Sequence, residues 1–365
     1  MDWIKAIIAL NKINGLGPVL IKRILEHFSD DVSLIWKVSF QDLKKIKGIS
    51  AKHIKGIKQV DWREVQREYL NAVESNINII PWGSEKYPLH LKNIYDPPMV
   101  LYIKGSFEEI DNYSIAIVGT RKASRYGLKQ AYSFAKELAS KKITVVSGLA
   151  YGVDIAAHQG ALDGKGRTVA VLGSGLKQIY PHKHINEAKR IINNGALISE
   201  FPLYTTPVPY NFPKRNRIIS GLVLGVIVIE AGMKSGAVIT AYSALQQGRD
   251  VFALPGDVDR LQSFGTHKLI QEGAKLITKI DDVLEEILVL QSKINSSPEN
   301  IINIESSLDE IEKRIYNQLN AIPQSIDFIV DKLDLSPSLI SSKLLTMEIN
   351  GIINMYPGQM YARKQ

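Results

Sequence analysis

The chain contains no cysteine. That absence removes a disulfide framework, a thiol nucleophile and a cysteine zinc site together. No apolar run reaches membrane-spanning length; LVLGVIVIEA is too short and ends in an acid. The start, MDWIKAIIALNKI, lacks the form of a secretory leader, because its apolar stretch is short, Asp2 precedes it and no small-residue cleavage site follows. A cytoplasmic location is the expectation. No Walker A sequence occurs, and the loop GTRKASRYG (119–127) is not G-x-G-x-x-G. A dinucleotide site would also want an acid at the end of ITVVSGLA, which offers Ser147 and Gly148 instead. ATP and NAD therefore lack their usual support, and no cofactor is expected.

What is present is a chain of 365 residues, long enough for two or three domains. Lys and Arg number 45 against 37 Asp and Glu, a net charge of +8 that suits a polyanion partner without requiring one. Residues 1–75 read as helical and carry one pattern twice, INGLGPVLIKRIL (13–25) and IKGISAKHIKGI (46–57). Each is an apolar residue, a Gly-x-small hairpin and an amphipathic helix, which resembles the helix-hairpin-helix motif. The first copy has Gly15 and Gly17; the second has Ser50 where the second glycine belongs. Two readings stand: hairpin amides that meet phosphate, or a SAM-like helical domain that only packs on its neighbour.

Residues 76–110 form a proline-containing connector with a strand near its end. Residues 113–280 then alternate strand and helix. The strand candidates are YSIAIVG (113–119), ITVVSGL (143–149), TVAVLGSG (168–175), ALISEF (196–201), VLGVIVIEA (223–231) and DVFALPG (250–256). Each is apolar on both faces, as in a covered parallel sheet. The expected fold class is α/β: an extended Rossmann-like, doubly wound parallel sheet, with an N-terminal helix-hairpin-helix domain and a C-terminal winged helix. The expected boundaries are 1–75 for the helical domain, 76–290 for the sheet domain, 291–307 for a linker and 308–365 for the winged helix, with MYPGQMYA as its wing.

Ligands of such sheets sit at the carboxyl ends of the strands. Three acid-free basic segments map there: Arg121, Lys122 and Arg125 after the first strand; His182, Lys183 and His184 in YPHKH; and Lys214, Arg215 and Arg217 in NFPKRNRIISGL, just before the fifth strand. Gly119, Gly148, Gly173 and Gly175 accompany them and let backbone amides approach an anion. Ser235, Gly236 and Thr240 begin a helix whose free amides add to that site. Tyr126, Tyr151, Tyr180, Tyr210 and Phe212 interleave with the cations, which suits a single strand with phosphates to hold and bases to stack. For any one ring, core packing is the alternative.

A complete catalytic set is not found. Asp154 and His158 share a helix face but lack a third ligand or nucleophile, so a histidine that orders its helix is the preferred reading. Glu230 ends a strand at the same rim. It is either a general base or, as preferred, an acceptor that holds the cations of 214–217 in place.

At this point the residues resemble a known family. IAIVGTRKAS, VVSGLAYGVDIAAHQGAL, AVLGSGLKQIYP, ISEFP, FPKRNRIISGL, VIEAGMKSGAVITAYSALQQGR and VFALPG stand in the order found in DprA, also called Smf, the DNA-processing proteins of bacterial transformation. The resemblance implies a homodimer that binds single-stranded DNA, loads the recombinase RecA and helps displace single-strand-binding protein, with no established catalytic reaction. It implies DNA-contacting roles for Arg121, Phe212, Arg215, Asn216 and Arg217, and for Lys183 or His182 at the Y-P turn. GTHKLI has His267 where the family has Asn, near its dimer and RecA-binding surface. An enzymatic alternative is a nucleotide phosphoribohydrolase-like site with Glu230 as its acid, although the P-G-G-x-G-T stretch is missing. A third is a pure adaptor whose helical ends bind proteins. Across 299–365 the charge is 6 − 9 = −3, which predicts a protein-interaction or autoinhibitory module rather than a DNA reader.

Overall fold

The computed structural model describes residues 3–28, 32–295, 308–319, 324–333, 335–350, 352–356 and 360–363. By contact the chain divides into two compact units, Met1–Val283 and Leu284–Gln365. Among the described residues no helix is long and apolar enough to cross a membrane.

The first unit is built on one nine-stranded sheet. Its strands are β1 (Ile77–Pro81), β2 (Val100–Gly105), β3 (Ser114–Val118), β4 (Thr144–Ser147), β5 (Thr168–Val171), β6 (Gly195–Ser199), β7 (Gly225–Val228), β8 (Asp250–Ala253) and β9 (Lys275–Leu276). They lie in the order β1-β2-β6-β5-β4-β3-β7-β8-β9. From β6 to β9 every pairing is parallel, whereas β2 runs antiparallel to β6 and β1 antiparallel to β2. The six strands read from the sequence are all present. Two were not foreseen: β1, on the far side of the connector strand β2, and the two-residue β9.

The alternation of the strands sorts their side chains into two cores. Ala116, Val118, Val146, Val169, Val171, Val226 and Val228 share one with the helices Asn211–Leu222 and Gly236–Gln246. Ala170, Leu172 and Leu197 face the other way and pack with Ala188 and Ile191 of the helix Ile185–Asn193. That second core continues without a break into Ile7, Ile8, Leu10, Ile21 and Ile24 of the N-terminal helices. The change from helices to strands near residue 76 is therefore internal to one compact unit, because the helical segment lacks a separate core of its own.

Both N-terminal hairpins turn on a glycine of positive φ, +86° at Gly15 and +92° at Gly48, conformations open to Gly and costly for other residues. Ser50 replaces a glycine usefully: its hydroxyl accepts from the His53 amide, while His53 Nδ1 accepts from the Ser50 amide. This reciprocal cap starts the helix Ala51–Lys58.

The second unit holds the helices Glu310–Gln318, Ile326–Leu333 and Pro337–Ile349 and a small antiparallel sheet, β10 (Gln324–Ser325), β12 (Met360–Arg363) and β11 (Ile353–Tyr356) in that order. It is a winged helix whose core joins Ile315, Ile329, Leu333, Ile340, Leu344 and Met347 to Ile353 and Tyr361. The tip of the wing, 357–359, and most of the expected linker, 296–307, lie outside the described residues.

Candidate nucleic-acid interface

Strand order reverses beside β3. The chain runs from β3 to β4, β5 and β6 on one side, then crosses to β7 on the other. β3 and β7 are paired neighbours, and the connections that leave their carboxyl ends run to opposite sides, the position where ligands enter open α/β sheets. A cleft of about 430 Å³ occupies it, with Gly119, Arg121, Asp154, Phe212, Arg215 and Gly236 among its walls.

The wall at 211–222 differs from the expected loop. NFPKRNRIISGL is itself a helix, Asn211–Leu222. Pro213 is tolerated in its first turn, and Arg215, Ile218, Ile219 and Leu222 recur at helical spacing toward the sheet. A helix separates its cations by about 100° per residue, so the cluster is dispersed rather than gathered. Lys214 is exposed, with its ammonium 5.5 Å from the Tyr210 ring centre. Arg215 is 4% exposed. It donates through Nη1 to the carbonyls of Gly148 (2.6 Å) and Val171, and through Nε to Asn216 Oδ1 at 3.1 Å. Burial pulls its pKa down to about 10, so it stays charged at neutral pH. Arg217 meets two acids from distant segments: Nε lies 3.2 Å from Asp96 Oδ2, and Nη2 is paired with Glu200. Arg217, expected at phosphate, is here paired with two carboxylates, and Arg215 is a buried brace of the cleft with its donors largely committed.

The partners of Arg215 explain two glycines. A Cβ on Gly148 would lie 2.3 Å from Arg215 Nη1, and one on Gly173 would lie 2.9 Å from the Phe212 ring. Small residues at these strand ends seat the guanidinium and the ring. Gly175 serves a backbone crossing instead, since its Cβ would fall 2.1 Å from the Pro202 carbonyl. Gly119 is hemmed in by Val153, and the next amide, Thr120, donates to the Glu230 carbonyl at 2.7 Å.

Asp154 faces the cleft too. It accepts from the amides of Gly148 (3.2 Å) and Ala150 (3.4 Å). Burial raises its pKa, while Arg215, those amides and Arg121 pull it back. Asp154 and Arg215 thus offset each other. Arg121 is different. It is exposed, its guanidinium stacks 4.9 Å from the Phe212 ring centre, and no carboxylate among the described residues pairs with it. Arg215 approaches the same ring at 5.9 Å, so Phe212 lies within cation–π reach of both guanidiniums.

Around this centre Lys122, on the loop after β3, and His182 and Lys183, in the short 3-10 helix His182–His184, are exposed. The Tyr180 ring lies 6.0 Å from Phe212, and Tyr151 and Tyr210 are also exposed. Tyr126 is not in this group; it lines a separate hollow with Pro255, Gly256 and Asp257. On the opposite wall Ser235 accepts from Val238 N and caps the helix Gly236–Gln246. Asn216 Nδ2 donates to the Gly236 carbonyl at 3.1 Å and pins that helix start to the cleft. Thr240 donates its hydroxyl to the same carbonyl and is buried, so the side chain is a structural member of the wall.

Glu230 holds none of the cations of 214–217. Its carboxylate accepts from the amide and hydroxyl of Ser124, the cap of the helix Arg125–Ser140. A Cβ on Gly127 would sit 2.4 Å from that carboxylate. Its role is to fix the Arg121 loop. His158 is buried, with Nδ1 2.7 Å from Thr168 Oγ1. The Thr168 hydroxyl donates to Val145 O, so Nδ1 carries the ring proton and Nε2 is a bare acceptor, buried without a partner. Burial, with His184 and Arg215 beside it, lowers its pKa to about 3. No group of three or more His, Cys, Asp or Glu among the described residues could hold a metal. His267 Nε2 lies 3.0 Å from the Gly256 carbonyl, so in place of Asn it ties its helix to that loop.

Sequence reasoning did not foresee Asp96 and Glu200 as partners of Arg217, or Asp154 as the counter-charge of Arg215. Only Glu200, in the middle of ISEFP at 198–202, offered a local signal.

The model of the family described as DNA recombination-mediator protein A matches residues 78–288, and that of the DprA winged helix domain matches 303–359. The chain belongs to the DprA family. Protein Smf of Escherichia coli is 45% identical over 215 residues, which cover 59% of this chain and 58% of that relative. The solved structure of DNA processing protein A from Streptococcus pneumoniae superposes with a TM-score of 0.69 at 36% identity, over 77% of this chain and 97% of that one. DNA processing protein A from Helicobacter pylori, solved for its single-stranded DNA binding mode, gives a TM-score of 0.53 at 31% identity, over 59% of this chain and 97% of that one. DprA-family sheet and winged helix thus coincide with the two compact units.

Proposed function

We propose that the switch-point cleft holds single-stranded DNA, and that this DprA-family chain acts as a recombination mediator. The observation that carries the reading is Arg121: an exposed guanidinium without a carboxylate partner among the described residues, stacked on Phe212 at the mouth of the 430 Å³ cleft. A phosphate seated there meets the Arg121 fork and the start of the helix Gly236–Gln246, where anions are favoured. Lys122, Lys183 and Lys214 extend the positive rim along the neighbouring backbone, and His182 adds a polar ring beside them. Tyr180 and Tyr210 offer faces for unpaired bases, which a duplex keeps stacked inside. Arg215 and Asn216 shape the cleft from below. The likeness to the Helicobacter pylori protein supports the same ligand.

In the cell this reading has the chain protect incoming DNA during natural transformation and load RecA onto it, as a homodimer that displaces single-strand-binding protein. The family resemblance supports these steps. Against the phosphoribohydrolase alternative stands the use of both Glu230 carboxylate oxygens as acceptors from Ser124. The test is a salt titration of binding to single-stranded and double-stranded oligonucleotides of equal length. Tighter binding to the single strand, weakening steeply with salt, is expected. Equal or tighter duplex binding at the same salt defeats the proposed site.

A further inference from the structure

The edge of the sheet remote from β9 carries a feature that the DNA rim does not use. β1 pairs only with β2, so its other side is open. Trp82 N donates to Met99 O at 2.9 Å, which fixes the phase of the ladder. Hydrogen-bonded pairs alternate along an antiparallel ladder, so Ile80 and Asn78 also bond toward β2. Ile77 and Ile79 then point their N–H and C=O groups away from the sheet. Neither residue's backbone has an outward partner among the described residues. Pro81 lacks an N–H and ends the row.

This open edge lies in a groove. On the face toward the N-terminal helices, a hollow of about 700 Å³ runs the length of β1, with Trp3, Ile4, Tyr69, Val73 and Trp82 as its walls. On the opposite face a hollow of about 650 Å³ includes Asn78, Ile80, Lys92, Glu108 and Asn112. Both are more apolar than polar; the second is slightly less so and is edged by Lys92, Glu108 and Asn112. A strand added to β1 would send alternate side chains into the two hollows, apolar on one side and polar on the other. At the Trp82 end two lysines stand against one acid: the Lys22 ammonium sits 5.2 Å from the Trp82 ring centre, exposed Lys86 borders both hollows, and exposed Glu85 borders the second. Trp82 Nε1 is buried without an acceptor.

We infer that β1 is a docking edge for a short extended peptide of a partner protein, with alternating apolar and polar residues and acidic residues at the end nearest Trp82. The main chain of the peptide completes the hydrogen bonds of Ile77 and Ile79, its apolar side chains fill the helix-side hollow, and its acids meet Lys22 and Lys86. Helix residues rise beside the strand, so the groove takes a single extended segment in preference to the sheet edge of a second copy.

The probes are eight fluorescein-labelled hexapeptides, X-Thr-X-Thr with X as Val, Ile, Phe or Tyr and two aspartates at one end or the other. They are titrated against the full chain. Saturable binding by at least one is expected, with at least ten-fold slower amide exchange at Ile77 and Ile79 in its presence. N-methylation of the peptide should weaken binding at least ten-fold at amides of one parity and leave it unchanged at the other. Ile79→Pro, which deletes one outward N–H, should weaken binding as much; the N-methyl series stands on its own if that variant does not fold. No saturable binding by any of the eight, equal sensitivity at both parities, or unchanged exchange at Ile77 and Ile79 overturns the proposal. So does concentration-dependent self-association that Ile79→Pro abolishes while no peptide binds.

Discussion

Gly148 and Arg215 occupy one volume: the Cβ that Gly148 lacks would fall 2.3 Å from the guanidinium Nη1. Arg215 cannot retreat freely, because that nitrogen also bonds the carbonyls of Gly148 and Val171. Gly148→Ala should therefore cost about 1–3 kcal/mol, the usual range for overpacking, and lower affinity for single-stranded DNA by displacing the floor of the cleft. Urea denaturation and fluorescence anisotropy measure the two effects; wild-type values in both would show that the guanidinium moves without consequence.

The arginines of the site should separate by role. Arg121→Ala removes an exposed cation, so the fold should survive, affinity should drop, and the log–log salt slope should flatten by about 0.7. Arg215→Ala leaves Asp154 and two carbonyls buried without their partner and should destabilise by about 3–5 kcal/mol. Arg217→Ala strands Glu200 in the same way and should show itself in stability before it shows in the salt slope. A slope change in Arg217→Ala equal to that in Arg121→Ala, with unchanged stability, would return Arg217 to the phosphates.

Acid should weaken the fold through His158. Its folded pKa, about 3, lies below the ordinary value of 6.5. Below pH 6.5 the unfolded chain takes up a proton that the folded chain refuses. The stabilisation is thus whole above pH 6.5 and declines as pH falls from there toward 3, by up to about 1.4 kcal/mol per pH unit. Asp154 and Glu200, raised by burial, work in the opposite sense. The comparison with His158→Asn isolates the histidine: from pH 7 to 4.5 the wild type should lose about 2–3 kcal/mol more than the variant. Parallel curves would mean that His158 is protonated in the fold.

The winged helix should not add to DNA affinity. Lys343, the one cation of the helix Pro337–Ile349, is held by Asp309 and Glu312. The outward residues of that helix include Ser338, Ser342, Leu345 and Ile349, with no arginine. A duplex-reading helix needs cations for the phosphates. Removing 299–365 should leave affinity for single-stranded DNA equal or higher by gel shift. A several-fold loss in a shortened chain shown to be folded would make the unit a DNA binder.

The parts of the fold written in local pattern were legible. β3 to β8 are β-branched runs flanked by glycines, and their alternation with helices marked them as one parallel sheet, without giving their order in it. β1, INIIP, is interrupted by Asn and closed by Pro, and β9 is two residues long, so neither carries a period to read. In the cleft, Arg121 and Phe212 stood where the motifs put them. The helix at 211–222 was legible in Ile218, Ile219 and Leu222, but the density of cations before them drew attention away from that spacing. Glu230 was not legible, because its partner Ser124 is 106 residues away. The same distance problem hid Asp96 from Arg217.

The two ends of the sheet are brief. At one, Pro81 ends the outward-facing row after two residues; at the other, β9 offers only Lys275 and Leu276. Long bare strand edges seed edge-to-edge growth, and short ones interrupted by proline or lysine resist it. Copies of this chain held at high local concentration can therefore stand side by side without their sheets fusing into an aggregate.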